Sequence, residues 1–189
     1  MLPIAPLMIE HRLIEKLIKL MEKQAKRIRK NKLADIEFVD DCIDFIKTYA
    51  DWCHHGKEED ILFRSLKEKK LSDEHLKIVN ELIKDHNYAR RITSQLVEER
   101  NNYMNSANEA EKQIISFEIY GHLKALVSFY PEHIKKEDKE FFVPCMEYFT
   151  ARQKKEMLQK FQEFDGQLIH KKYQELVKEK SKSTKEEQI

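Results

Sequence analysis

Six residues of this 189-residue chain have the types and spacing to hold metal: His11, His54, Glu58, His86, His133 and Glu137. Each falls on a helical stripe otherwise filled by Leu, Ile, Val and Ala. A carboxylate buried there without a partner is strongly unfavourable, so four imidazoles and two carboxylates pointing inward need a shared reason. A divalent cation supplies one. His54 and Glu58 are spaced i, i+4, as are His133 and Glu137, and such pairs project side by side from one helix face. The two pairs belong to a repeat. His54-His55-Gly56-Lys57-Glu58-Glu59 runs on to Leu62-Phe63, and 79 positions later His133-Ile134-Lys135-Lys136-Glu137-Asp138 runs on to Phe141-Phe142. The lone histidines His11 and His86 each follow an acid, Glu10 and Asp85. Two hairpins, each with one lone His and one His-x-x-x-Glu, make a pseudo-twofold site that suits two metals bridged by the glutamates.

Other residues invite weaker readings. His55 and Glu59 form a second i, i+4 pair, about 100° round the helix from the seam, which predicts a solvent-facing pair or one backing Glu58. His122 lies about 16 Å along the helix from His133, too far to share its metal, and reads as a hydrogen-bonded core or channel histidine. His75 and His170 read as surface or capping residues. Gly56 stands where a neighbour approaches closely or where a glycine is simply tolerated. Tyr49, Tyr88 and Tyr130 sit near the candidate ligands, as packing residues or hydrogen-bond donors to them. Cys53 points off the seam.

The elements that must position these residues are long helices. Apolar spacing predicts helices from about Ala5 to Lys30, Ile36 to Lys69 and, after the cap Ser72, to Asn105. A fourth begins near Asn108, whose spacing to Glu111 is that of a capping box, carries Pro131, and ends around Phe142–Pro144. A fifth runs from Thr150, boxed with Gln153, to Lys178 through Leu158, Phe161, Leu168 and Tyr173. Short connections imply antiparallel neighbours. The expected fold is all-α: an antiparallel up-down-up-down four-helix bundle over residues 1–148, an additional C-terminal helix over 149–178 packed on it, and a flexible charged tail over 179–189. Counting from the turns puts the candidate ligands of the first three helices at one height. The fourth fits only with its turn nearer residue 110.

Composition agrees with this reading and excludes others. Gly and Pro number 3 and 4, charged residues make up 37% and net charge is +1. Collagen-like and low-complexity chains are excluded, and no basic excess calls for nucleic acid. No apolar run reaches the roughly 20 residues of a membrane span, and the start lacks the pattern of a signal peptide. Three cysteines, Cys42, Cys53 and Cys145, read as reduced thiols of a cytoplasmic protein.

Glu10-His11-Arg12, the two His-x-x-Lys-Glu segments and Asp85-His86 together resemble the hemerythrin-like, or HHE cation-binding, family over about Ile9 to Cys145. The resemblance implies a non-haem di-iron centre with an oxo or hydroxo bridge, His11, His54, His86 and His133 as terminal ligands, and Glu58 and Glu137 bridging; zinc and manganese are the alternative metals. It implies a small ligand (O₂, NO or peroxide) bound for sensing, scavenging or storage, with a separate signalling or redox partner for a sensor. The alternative is a di-iron enzyme acting on NO or peroxide, or an iron donor for Fe–S cluster repair. Repair members carry a cysteine-bearing domain before the first His, whereas ten residues precede His11 here, which weighs against that reading. Oxygen carriers in the family have a fifth histidine one turn from the lone His of the third helix. Here those positions are Leu82 and Arg90, which counts against reversible O₂ carriage.

Overall fold

The computed structural model describes residues 2–165 and 169–186. Among them the chain is all-α, with six helices and no strand. Helix α1 is Ile4–Asn31, closed by Lys32 in the left-handed region. Helix α2 spans residues 36–67 and opens with the Asp35 carboxylate accepting from the Phe38 N–H. Helix α3 is Asp73–Asn105, capped by Ser72. Helix α4 spans residues 109–145, capped by Asn108. Helices α5 and α6 are Ala151–Asp165 and Ile169–Glu186. At the start of α5 the Thr150 N–H donates to Gln153 Oε1 and the Gln153 N–H to Thr150 Oγ1, the reciprocal box expected from sequence.

Several sequence expectations are corrected. The fourth helix ends at Cys145, within a residue of the expected Phe142–Pro144, and a short tight turn, Met146–Tyr148, follows it. The turn before it stays at residues 106–108, so the longer distance to His133 is absorbed along α4 and not at the turn. The expected single fifth helix is two, Ala151–Asp165 and Ile169–Glu186; residues 166–168, Leu168 among them, lie outside the described residues. Helix α6 continues to Glu186, through most of the stretch expected as a flexible tail. Tyr173 and Val177 are buried and Lys180 pairs with Glu37 and Asp41 of α2. Residues 187–189 lie outside the described residues.

α4 packs against both α1 and α3, α2 against α1 and α3, and α6 along α1 and α2. The apolar interior is divided into two clusters. One holds Leu17, Met21, Phe45, Tyr49, Leu96 and Leu126, joined by Tyr173 and Val177 of α6. The other holds Leu7, Leu62, Phe63, Leu82, Phe141 and Phe142, joined by Met157 and Phe161 of α5. Each of the four long helices passes from one cluster to the other, and the layer it crosses is polar.

Candidate metal centre

That polar layer contains all six candidate residues: His11, His54, Glu58, His86, His133 and Glu137 are buried, none more than 3% exposed. The His11, His54, Glu58 and Glu137 side chains converge with one ligand atom each within 4.8 Å of the others. His11 Nε2 is 3.1 Å from Glu137 Oε2, and His54 Nε2 is 3.6 Å from Glu58 Oε1. Beside them, His86 Nε2 is 3.3 Å from Glu58 Oε2 and 3.7 Å from Glu137 Oε1, and His133 Nε2 is 3.4 Å from Glu137 Oε2. Each glutamate therefore faces histidines on both sides of the layer.

The opposite ring nitrogens fix the imidazoles. His11 Nδ1 donates to Asp138, His54 Nδ1 to Glu10 and His86 Nδ1 to Glu59, at 2.8, 2.8 and 2.6 Å; His133 Nδ1 faces Asp85 at 3.5 Å. In every case the acid adjoins a candidate ligand of one helix and faces the histidine of another, with a hydrogen bond in all but the Asp85–His133 pair. Glu10 of α1 serves α2, Glu59 of α2 serves α3, Asp85 of α3 serves α4, and Asp138 of α4 returns to α1. With Nδ1 held this way, Nε2 is turned into the centre, the arrangement that sets the tautomer of a metal-binding histidine. All four braces carry cations of their own: Lys57 is buried against Glu10, Arg90 binds Glu59, Lys136 binds Asp85 and Arg12 binds Asp138.

The electrostatics fit a cation. Both oxygens of Glu58 and of Glu137, and Nε2 of His86 and His133, are buried with no hydrogen-bond partner, although native interiors pair nearly all such atoms. His11 Nε2 and His54 Nε2 face each other at 2.9 Å, which two lone pairs do only with a proton between them. Burial alone would lower the His11 pKa, but Asp138 and Glu137 raise it to about 10. For Glu137, burial acts upward, yet His133, His11 and His86 hold it well below the usual carboxylate range. Protons here occupy positions that a divalent cation can take. Imidazole nitrogens and carboxylate oxygens in this number suit iron, manganese or zinc.

His55 departs from expectation. It is buried and not solvent-facing, because residues 45–55 of α2 are wound as a π-helix. The wider turn brings successive side chains closer in direction, so His54 and His55 both face inward; such windings recur at functional sites. His55 comes within 4.8 Å of His86 and His133. It lies face to face on His86, centroids 3.9 Å apart and planes 11° from parallel. A metal bound by imidazole lies in the ring plane, and one ion cannot lie in two stacked planes, so His55 in this position is no co-ligand of His86. Its Nδ1 donates to Asp51 at 3.3 Å, leaving Nε2 buried and unpartnered. Arg90 binds Asp51 and Glu59 and so braces His55 and His86 together.

The remaining residues divide. Glu59 does not back Glu58 but holds His86. His122 is half-buried, away from the centre. His75 Nδ1 meets the Tyr148 hydroxyl at 2.8 Å at the start of α3. His170 is no bystander: it pairs with Asp165 at 3.1 Å and accepts from the Tyr49 hydroxyl. With Glu10, Cys53 and Asp165 it forms a second cluster of possible ligand atoms, but the buried Lys57 ammonium, bound to both Glu10 and Asp165, is already the cation there. Gly56 has a reason: a Cβ at this position would come within 2.8 Å of the Phe164 ring on α5.

A family model, described as the hemerythrin HHE cation binding domain, matches residues 2–143. Helices α5 and α6 lie beyond the matched residues. No curated protein and no solved structure matches the chain.

Proposed function

Since the chain belongs to the hemerythrin HHE cation-binding domain family, we propose that α1–α4 form an up-down-up-down bundle around a non-haem di-iron centre that binds O₂, NO or peroxide, for sensing, scavenging or storage. One ion would be held by His11 and His54, the other by His86 and His133, with Glu58 and Glu137 shared. The observation that carries this reading is the placement of the two glutamates: each has buried, unpartnered oxygens facing histidines from both halves of the centre. The iron pair would supply the redox chemistry and the coordination position for a small ligand. The chain's own part is to fix His11, His54 and His86 by their Nδ1 hydrogens, to set His133 Nδ1 toward Asp85, to aim the four Nε2 atoms into the centre, and to exclude bulk water between two apolar clusters. No helix among the described residues is long and apolar enough to cross a membrane. Cys42, Cys53 and Cys145 are free and buried, which suits a reducing compartment such as the cytoplasm.

Anaerobic purification, a metal count and optical spectra on adding O₂ and NO test the reading. Two irons per chain and oxo-di-iron bands that respond to the gas are expected. Catalytic loss of peroxide or NO would make the protein an enzyme, and one zinc per chain with no spectral response would overturn the di-iron assignment. Glu58→Ala and Glu137→Ala should each lose metal; full metal content in both would contradict their role.

A further inference from the structure

Among the described residues, Tyr130 is the one side chain outside the histidines and glutamates of the metal layer that buries a polar atom without a hydrogen-bond partner. It is 1% exposed. It also borders two cavities, one on each side of α4. The first, of about 220 Å³, lies between α2, α3 and α4, with Ile46, Ala89 and Val97 on its walls. Asp51 and Arg90, which also line it, are paired with one another. The second, of about 280 Å³, lies between α1 and α4, with Ile18, Val127 and Ile134 on its walls. Each has room for several water-sized molecules at roughly 30 Å³ apiece. Both reach the surface, the first at Lys47 and Ser94, the second at Lys19 and Pro131, all exposed. Inside, both come close to His133. The Tyr130 ring is 6.5 Å from the His133 ring, and His55, on the first cavity, is 5.6 Å from it. Ile134, on the second, is the next residue in the chain.

Two features leave Tyr130 lightly held between these spaces. Its hydroxyl makes no hydrogen bond where it stands, although native interiors pair nearly all such atoms. Pro131, the next residue, has no N–H to close the helical turn onto Val127. A ring that swings into either cavity carries its hydroxyl towards a mouth and to water. On opening, the hydroxyl gains the hydrogen bond it lacks when closed, so opening costs less than it would for a phenylalanine ring.

We propose that Tyr130 is a swinging partition between the two cavities and sets the rate at which an uncharged diatomic ligand, O₂ or NO, reaches the metal layer. The apolar walls favour such a ligand over hydrogen peroxide, which gives up hydrogen bonds to water on entry. The proposal rests on the metal-centre reading and narrows its ligand to a gas. Tyr130 acts on access and makes no contact with the metal.

The test uses Tyr130→Phe, which keeps the ring and removes the hydroxyl, and Tyr130→Ala, which removes the partition. Iron is counted first and should match wild type; loss of iron from Tyr130→Phe would make the hydroxyl a support of the centre and overturn the proposal. NO association and dissociation are then followed by stopped flow on iron-loaded protein. Both rates should fall roughly tenfold in Tyr130→Phe and both should rise in Tyr130→Ala. The Kd should stay the same in each variant, because a partition alters the barrier and not the end states. Xenon NMR on the protein as purified reads the same partition without the metal. Xenon should exchange between two protein sites in wild type, exchange more slowly in Tyr130→Phe, and occupy a single merged site in Tyr130→Ala. Equal NO rates in wild type and Tyr130→Phe, a Kd that moves with the rates, or no xenon in either cavity would overturn the partition. Wild-type protein that shows the xenon exchange but binds no iron would overturn the metal-centre reading alone.

Discussion

At the residue scale the centre depends on hydrogen bonds behind each imidazole. Glu10→Gln keeps the shape but weakens the hold on His54 Nδ1, and should reduce metal affinity by about 10- to 100-fold, measured by competition with a chromogenic chelator. The exposed Glu22→Gln on the same helix should change nothing. Protonation gives a second prediction. In metal-free protein His11 has its pKa raised from 6.5 to about 10. Its contribution to stability is complete below the unfolded value and disappears as pH rises through the folded one. Urea midpoints of chelator-treated protein should therefore fall between about pH 6.5 and pH 10, while metal affinity rises over the same range as proton competition ends. A flat midpoint across that range would mean that His11 is not held protonated. That the six candidate residues share one buried layer was legible in the sequence, because a repeated motif places a His-x-x-x-Glu in each hairpin. Their braces were only half legible. Glu10, Glu59, Asp85 and Asp138 stand beside the motifs, but each serves a different helix from its own, and sequence adjacency does not show that. His55 was misjudged because an ideal α-helical wheel sends it outward, and no local signal announces the π winding that turns it in.

Among the elements, α5 is the one whose role sequence left blank. Sequence periodicity ran it together with α6 as one helix and gave no sign of its contact with Gly56. Gly56→Ala should gain about 1 kcal/mol of helix propensity and spend it displacing the Phe164 ring, for a net change within about 1 kcal/mol. The displacement has its own reporter. Trp52, the sole tryptophan, has its ring 5.4 Å from that of Phe164, so its emission should shift in Gly56→Ala as in Phe164→Ala. Unaltered emission would mean that α5 accommodates the methyl without moving.

For the whole molecule, the C-terminal helices and the metal layer are connected through one buried cation. Lys57 of α2 is fully buried between Glu10 of α1 and Asp165 of α5, and Glu10 in turn holds His54. Asp165→Asn leaves that ammonium with one carboxylate, and removing a partner from a buried pair costs roughly 3 kcal/mol. Urea unfolding should show this loss with or without metal, and metal affinity should drop less than in Glu10→Gln, where the brace itself is changed.

The closed circuit of braces also has a consequence for synthesis. His11 leaves the ribosome 127 residues ahead of Asp138, an interval of roughly 6 to 25 seconds at ordinary elongation rates. Once residue 58 has followed, the first hairpin has His11, His54 and Glu58, but its His11 still lacks both Asp138 and Glu137. Neither hairpin holds the full set of ligands and braces alone. The complete centre can therefore assemble only in a chain already past residue 138.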